Sequence, residues 1–269
     1  MHKISLPLLL FLMIVLMALA GPFLTPYSYS DIHLSLKNMP PGSMFWFGSD
    51  ELGRDLFTRV WWGARISLFV AFSATLINTI FALLWGGVSG YCGGLVDEFM
   101  MRVCDILQGI PHLLFVILIT VVKGAGFSTL LLAMTLTGWV HMARVFRAQV
   151  LQIKTMDYVF AAKSFGSPRS RIFLKHLLPN ALPPMIALIT LSLPTAIFHE
   201  AFLSFLGFGI QAPMSSWGMM LNDGVSGLRY FPWRVFFPAF FLCLTIFCLQ
   251  SLGSSLSQSS KTNIKKPFF

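Results

Sequence analysis

The chain has 269 residues, of which 56% are hydrophobic and 11% charged, with a mean hydropathy of +0.75 and a formal net charge of +9. A soluble surface draws on about a quarter charged residues, so this composition excludes a soluble globular protein. The positive charge does not point to nucleic acid either, because the basic residues are scattered between apolar runs rather than gathered in one polar domain.

A helix that crosses a bilayer needs about 20 apolar residues. The sequence supplies six such segments, which predicts an all-α integral membrane protein with six transmembrane helices. The first runs from Ile4 to Leu24. His2 and Lys3 before it, and Ala18-Leu-Ala20 near its end, imitate a cleavable signal peptide, but the apolar run is longer than a signal core. We therefore expect an uncleaved anchor (about 4–24) within an N-terminal unit 1–65, whose remainder, Thr25 to Arg65, is external. The stretches Ile66 to Val96, Gly124 to Ala143, Leu177 to His199 and Val235 to Ser260 lack Asp, Glu, Lys and Arg, and contain crossings two, four, five and six. The third crossing, Ile106 to Val122, holds Pro111 and follows Arg102 and Asp105, whose spacing permits a helical ion pair.

Between crossings four and five lies a basic pair of short helices. Thr155 is placed to cap the first, with Asp157 in its positively polarised first turn, and Val159, Ala162 and Phe165 recur at helical spacing. Gly166 stops that helix, and Ser167 with Pro168 starts a second one that carries Ile172, Phe173 and Leu177 and is expected to end near Pro179. Lys154, Lys163, Arg169, Arg171 and Lys175 face the single acid Asp157, so the segment suits a cytoplasmic loop. Such a basic amphipathic element either lies in the headgroup layer or forms a knob for a partner. With both termini inside, 12 of the 19 Lys and Arg residues fall in the cytoplasm, including Lys3, Lys261, Lys265 and Lys266. Phe208 to Trp233 is then a second external segment, and the two outer segments form a docking face for an external partner.

Polar residues inside crossings are costly and mark candidate sites. His199 and Glu200 stand near the outer end of crossing five, where they serve as a proton relay or cation site, or where Glu200 simply bonds to neighbouring donors near an outer gate. The isolation of the pair favours the gate. Asn78 and Thr79 can bond across helices. His112, His141 and His176 lie too far apart in sequence to show a ligand spacing, so no metal site is expected. Cys92 and Cys104 fall on the cytoplasmic side and Cys243 and Cys248 within crossing six, so all four are read as packing residues without an external disulfide. No phosphate-binding Gly-x-x-x-x-Gly-Lys-Ser/Thr loop is present, so this chain is not expected to hydrolyse ATP.

Ala161, Ala162, Gly166, Ile172, Leu178 and Pro179 resemble the cytoplasmic coupling loop of permease subunits in ATP-binding-cassette importers. Gly48-Ser-Asp-Glu-Leu-Gly-Arg-Asp55, Tyr91-Cys-Gly-Gly-Leu-Val-Asp97, Glu200-Ala-Phe-Leu-Ser-Phe-Leu-Gly207, Pro213, Ser216-Trp-Gly218 and Leu221 extend the resemblance to the C-type subunit of the dipeptide, oligopeptide and nickel branch. Two positions depart from that pattern. Phe160 stands where the family usually has Glu, and the serine-rich stretch from Gly253 to Lys261 replaces a charged tail.

The resemblance implies a type I importer permease fold over 66–258, with a coupling loop at 150–179 and a short basic tail at 259–269. It implies that Asp157, Ala161, Ala162, Gly166, Ile172, Leu178 and Pro179 couple to the ATPase, with Ile172 and Leu177 lying in an ATPase groove. Glu200, His199 and Asn78 are candidate gate or pore residues. It further implies a sister permease, two cytoplasmic ATPase subunits that use ATP and Mg, an extracytoplasmic binding protein, surrounding lipid, and a bacterial plasma membrane location. No cofactor is expected on this chain itself. The implied cargo is a peptide, with nickel or another small solute as the alternative. An ion-coupled secondary transporter using Glu200 and His199, or an envelope anchor, is the reading from a different class.

Overall fold

The computed structural model describes residues 2–264, and among these every extended element is helical. The expectations placed on Lys265 and Lys266 lie outside the described residues. α1 (His2–Ala20) turns Leu9, Leu12, Leu16 and Leu19 outward and packs Ile14 and Ala18 into the core. An exposed leucine stripe at helical spacing is what lipid demands of a membrane helix.

α2 (Leu56–Cys92) starts where Asp55 accepts the amides of Phe57 and Thr58, at 3.3 and 3.0 Å, together with the Thr58 hydroxyl. α2 therefore begins within the stretch expected to be external, Thr25 to Arg65, so that Arg59 and Arg65 are helical. Arg65 reaches back to the terminal carbonyls of α1, donating to Ala18 O and Leu19 O. Two motif glycines, Gly48 and Gly53, hold φ of 81° and 75° in the preceding loop, where a Cβ at Gly53 would overlap the His33 carbonyl.

α3 (Gly94–Gly109) and α4 (His112–Lys123) meet at an angle of 80°. Ile110, held extended by the following Pro111, breaks the register between them. The expected Arg102–Asp105 pair does not form its ion pair. Asp105 instead takes Arg144 at 2.6 Å, because α3 packs against α6. α5 (Phe127–Thr137) and α6 (Trp139–Lys154) run on through Gly138 as one long apolar element. α6 lies close against α2 because Ala82, Gly86 and Gly90 leave room: a Cβ on Gly86 would strike the Ala143 carbonyl.

α7 (Asp157–Ser164) and α8 (Arg169–Ile172) flank the Gly166 elbow, and a π turn over Phe173–Leu177 feeds α9 (Leu178–Phe205) without a stop. Two local expectations fail here. Thr155 closes α6, donating its hydroxyl to Gln152 O at 2.8 Å, and Met156 occupies the start of α7 without a side-chain cap. Pro179 does not end a helix. It occupies the first turn of α9 directly after the π turn, where the Leu178 amide bonds five residues back to Phe173 O. That wider turn accommodates a residue with no N–H to give.

α10 (Trp217–Val225) and α11 (Trp233–Ile264) complete the chain. Trp217 is fully buried and donates to Val60 O at 3.0 Å, while Gly218 lets α10 lie against Ala201 of α9. Among the described residues, five helical elements are long and apolar enough to cross a membrane, or six if the bent α3–α4 pair is one span. Cys104 and Cys248 are buried, Cys92 and Cys243 are on the surface, and all four are free.

Candidate functional site

At the cytoplasmic-loop end of the sequence map, α7, the elbow and α8 form a knob. Gly166 takes φ of 72°, a region that suits glycine, and nothing lies within 4 Å of a Cβ added there. Val159, Ala162, Ile172 and Leu177 are buried in one cluster with Phe146, Val150 and Ile153 of α6. Ile172 and Leu177 therefore anchor the knob to its own subunit, correcting the expectation that they lie in a partner's groove. Their helix face is turned inward because α8 continues into α9, which packs on α6. The outward face carries other residues: Tyr158, Phe160 and Phe165 are exposed, Phe165 by 88%. The Lys163 ammonium stands 5.6 Å from the Phe160 ring. Of the remaining loop residues, Asp157, Ala161 and Pro179 are exposed and Leu178 is half-buried.

A staple holds the knob's platform to α2. Arg147 of α6 grips Asp97 of α3 with both ends of its guanidinium, and Ser89 of α2 donates to the same carboxylate. Lys154 donates to Tyr91 O at 2.6 Å at the end of α2. The Tyr91–Asp97 motif is thus a corner fastened by Arg147 and Lys154.

The opposite end of α2 is fastened by ion pairs. Asp50 takes Arg54 at 2.6 Å and Arg59 at 3.4 Å, Arg59 stands 3.8 Å from Asp223 of α10, and Arg234 of α11 reaches Glu51 at 2.9 Å. Burial raises the pKa of Asp223, and the neighbouring Arg59 works against that rise. This network escaped sequence reading because its members are scattered over about 180 positions; the signal was the acid–base alternation in Gly48–Asp55.

Between the two fastened ends, a cavity of about 440 Å³ opens among α2, the α3–α4 bend, α5, α6 and α9. His112, His141, His199 and Asn78 line it. Histidines that look unrelated in sequence are therefore neighbours, and His112 and His199 stack with ring centroids 5.8 Å apart. His176 is not among them; it lies near Tyr158 on the knob side. Among the described residues no group of three or more His, Cys, Asp or Glu side chains is arranged to hold a metal ion. Glu200 turns the other way. It is fully buried, accepts the Ser204 hydroxyl at 2.8 Å, and adjoins Ser67 of α2 and Ser216 of α10. Consecutive residues His199 and Glu200 thus serve different places, the first on the cavity wall and the second in a helix–helix joint.

A family model described as the binding-protein-dependent transport system inner membrane component matches residues 82–261, and one described as the N-terminal TM domain of oligopeptide transport permease C matches residues 6–41. The chain is 46% identical over 259 residues to the oligopeptide transport system permease protein OppC of Bacillus subtilis (strain 168), covering 96% of this chain and 85% of that protein. It is 50% identical over 260 residues to the dipeptide transport system permease protein DppC of the same organism, covering 96% and 81%. Among solved structures, the inward-facing MetNI methionine ABC transporter matches with a TM-score of 0.61 at 19% identity, over 75% of this chain and 94% of that one. An amino acid ABC transporter matches with a TM-score of 0.53 at 16% identity, over 74% and 91%. At these identities the two structures speak for a shared fold.

Proposed function

The chain belongs to the family of binding-protein-dependent transport system inner membrane components, and from that premise we propose that it forms half of the pore of an ATP-driven importer of oligopeptides or dipeptides. The observation that supports this reading most directly is the knob: a rigid elbow anchored inward by Val159, Ala162, Ile172 and Leu177, with an aromatic and basic face left free. In this reading residues 1–65 are the anchor and outer segment, 66–258 the permease domain, and 259–269 a cytoplasmic tail. The α3–α4 pair counts as one of six spans, and both termini are cytoplasmic in a bacterial plasma membrane. A sister permease completes the pore, an extracytoplasmic binding protein delivers the peptide to the outer loops, and two ATPase subunits supply ATP and Mg chemistry that this chain does not perform.

The knob would receive the ATPase through Tyr158, Phe160 and Phe165, with Asp157, Ala161, Gly166 and Pro179 at the contact and Ala162, Ile172 and Leu178 supporting it from beneath. Phe160, standing where the family usually has Glu, makes this contact apolar rather than ionic. ATP-driven closure of the ATPases pulls the knob, and the knob pulls α6 through their shared core. The Asp97–Arg147 staple carries the movement to α2 and α3. Alternating access then follows if ATP favours one of two packed arrangements. Glu200 is a joint between α9 and its neighbours, and His199 and Asn78 belong to the pore wall.

The test is peptide uptake by vesicles holding the whole complex. ATP-dependent uptake that persists when an uncoupler collapses the proton gradient is expected, and uptake that follows the gradient instead of ATP overturns the reading in favour of ion coupling through His199 and Glu200. Orientation is tested separately by cysteines placed at Lys3 and Lys261 in a background without the native four. Both should resist an impermeant thiol reagent in intact cells, and labelling of either refutes the six-span arrangement.

A further inference from the structure

We infer that Arg65, at the seam where α1 meets α2, is a binding site for the phosphate of an anionic phospholipid, on the face of the membrane away from the knob. The site goes beyond the importer reading and does not depend on it. α1 contributes an apolar run of 18 residues, Leu6–Phe23, which spans about 27 Å at 1.5 Å per residue. The hydrocarbon core of a bilayer is about 30 Å thick, so the end of this run lies at the boundary with the headgroups. Arg65 is held at that level, because its guanidinium donates to Ala18 O and, at 2.6 Å, to Leu19 O. Aromatic side chains, which favour this boundary, gather there. The guanidinium stands 4.8 Å from the centroid of the Trp62 ring and 5.4 Å from that of Phe23, and Tyr29 stacks on Trp62 at 4.4 Å.

The charge of this arginine is not matched within the chain. Arg54, Arg59, Arg144, Arg147 and Arg234 each take a carboxylate, whereas Arg65 takes none among the described residues. Its acceptors there are two carbonyls at the C-terminus of α1, a helix with no basic residue in its own last turn. A helix end carries about half an elementary charge, so net positive charge remains. Donors remain as well: a guanidinium has five N–H groups, and α1 uses two. Nη1 has no acceptor among the described residues and is open to its surroundings, in contrast to the Nη1 of Arg59, which is sealed inside the protein. With the second N–H of Nη2 it forms the fork that meets two oxygens of one phosphate. Phe23 beside it is 77% exposed, and the outward stripe of Leu12, Leu16 and Leu19 runs from there along α1. A phosphate held by Arg65 therefore leaves its acyl chains against an apolar surface, and ties α1 to α2 through the same side chain. A lipid whose only charge is its phosphate suits this site, whereas a zwitterionic headgroup brings an ammonium against a cation.

The experiment weighs lipids on the full chain purified in detergent. The parent, Arg65→Gln, Phe23→Glu and Phe23→Gln are each mixed with phosphatidylglycerol, phosphatidylethanolamine or inorganic phosphate. Native mass spectrometry counts the lipids bound per chain, and thermal unfolding is followed in parallel. The parent is expected to bind phosphatidylglycerol about tenfold more tightly than Arg65→Gln, the loss expected when a hydrogen bond to a charged group is removed. Phe23→Glu covers the case in which Arg65→Gln fails because α1 detaches. It leaves Arg65 and its two carbonyls in place and supplies a carboxylate beside the guanidinium, which should displace phosphatidylglycerol as well. Phe23→Gln, without the charge, should bind as the parent does. Equal binding of phosphatidylglycerol by the parent, Arg65→Gln and Phe23→Glu overturns the site. Phosphatidylethanolamine bound as tightly as phosphatidylglycerol overturns the anionic assignment. Inorganic phosphate that raises the unfolding midpoint of the parent as much as the lipid does, and not that of Arg65→Gln, overturns the lipid as its source.

Discussion

The bidentate pair between Asp97 and Arg147 is the most exacting test of how this chain joins its knob to its membrane helices. A solvent-exposed ion pair contributes about 0–1 kcal/mol, whereas a hydrogen bond to a charged group contributes about 1.5–3 kcal/mol. The Asp97 side chain is 12% exposed and that of Arg147 31%, so the pair belongs between these limits. A double-mutant cycle with Asp97→Ala and Arg147→Ala is expected to give a coupling energy of about 1–2 kcal/mol. The Asp97 single variant should be the more damaging of the two. It strips the acceptor from both Arg147 and the buried Ser89, while removing Arg147 leaves Asp97 with Ser89 still donating. Arg147→Lys keeps the charge but loses the planar fork, and should forfeit more than half of the coupling. Thermal unfolding of the purified chain in detergent measures all four corners. Single variants whose effects add to within about 0.3 kcal/mol would refute the staple, since that is the scatter expected of independent sites.

The other predictions address separate joints. Gly86→Val drives a side chain into the Ala143 carbonyl and should cost about 1–3 kcal/mol, seen as a lower unfolding midpoint and less chain in the membrane; parent-like stability would mean that α2 and α6 are not this close. Gly166→Ala and Gly166→Leu should cost the same, about 1–2 kcal/mol of backbone strain, because open space surrounds the site, and both should reach the membrane yet retain less ATPase subunit; normal retention and uptake refute the knob's role. Asp223 has a raised pKa, so its contribution to stability is whole below the ordinary carboxylate range and is lost as pH rises through its folded value. The midpoint of the parent relative to Asp223→Asn should therefore rise as pH is lowered from about 7 to about 4, and a difference that stays flat contradicts the burial of this carboxyl. Glu200→Gln keeps an oxygen to accept the Ser204 hydroxyl and should leave uptake within severalfold of the parent, whereas abolished uptake at normal membrane abundance would promote Glu200 from a joint to a coupling residue.

Apolar length located the long helices, because the bilayer imposes the same requirement on every crossing wherever it packs. What it left out depends on partners remote in sequence. Asp105 had Arg102 at helical spacing, yet Arg144 wins it across 39 positions because α3 packs against α6. Pro179 carries a strong local stop signal, but the π turn before it changes which amides need acceptors, and a π turn leaves no composition signature. The loop pattern containing Ile172 was legible, but not its direction: an apolar residue in an amphipathic helix looks the same whether its own subunit or a partner covers it. The three cavity histidines show the same limit, since a spacing rule cannot see helices folding back on one another.

The distribution of charge along α2 gives these pieces a mechanical sense. Its 37 residues span about 55 Å at 1.5 Å per residue. At one end Arg59 pairs with Asp50 of the preceding loop and with Asp223 of α10, and at the other Ser89 donates to Asp97 of α3 and Tyr91 O accepts from Lys154 of α6. Contacts to charged groups are directional and break at a cost, so each end moves as a block with what it grips. Between them the contacts to α5, α6 and α9 are apolar packing, small residues and neutral hydrogen bonds around the cavity. Apolar contacts are non-directional and can re-form after a small slide. A pull on the knob therefore has little resistance in the middle and firm attachment at the ends, so the displacement concentrates where the cavity is.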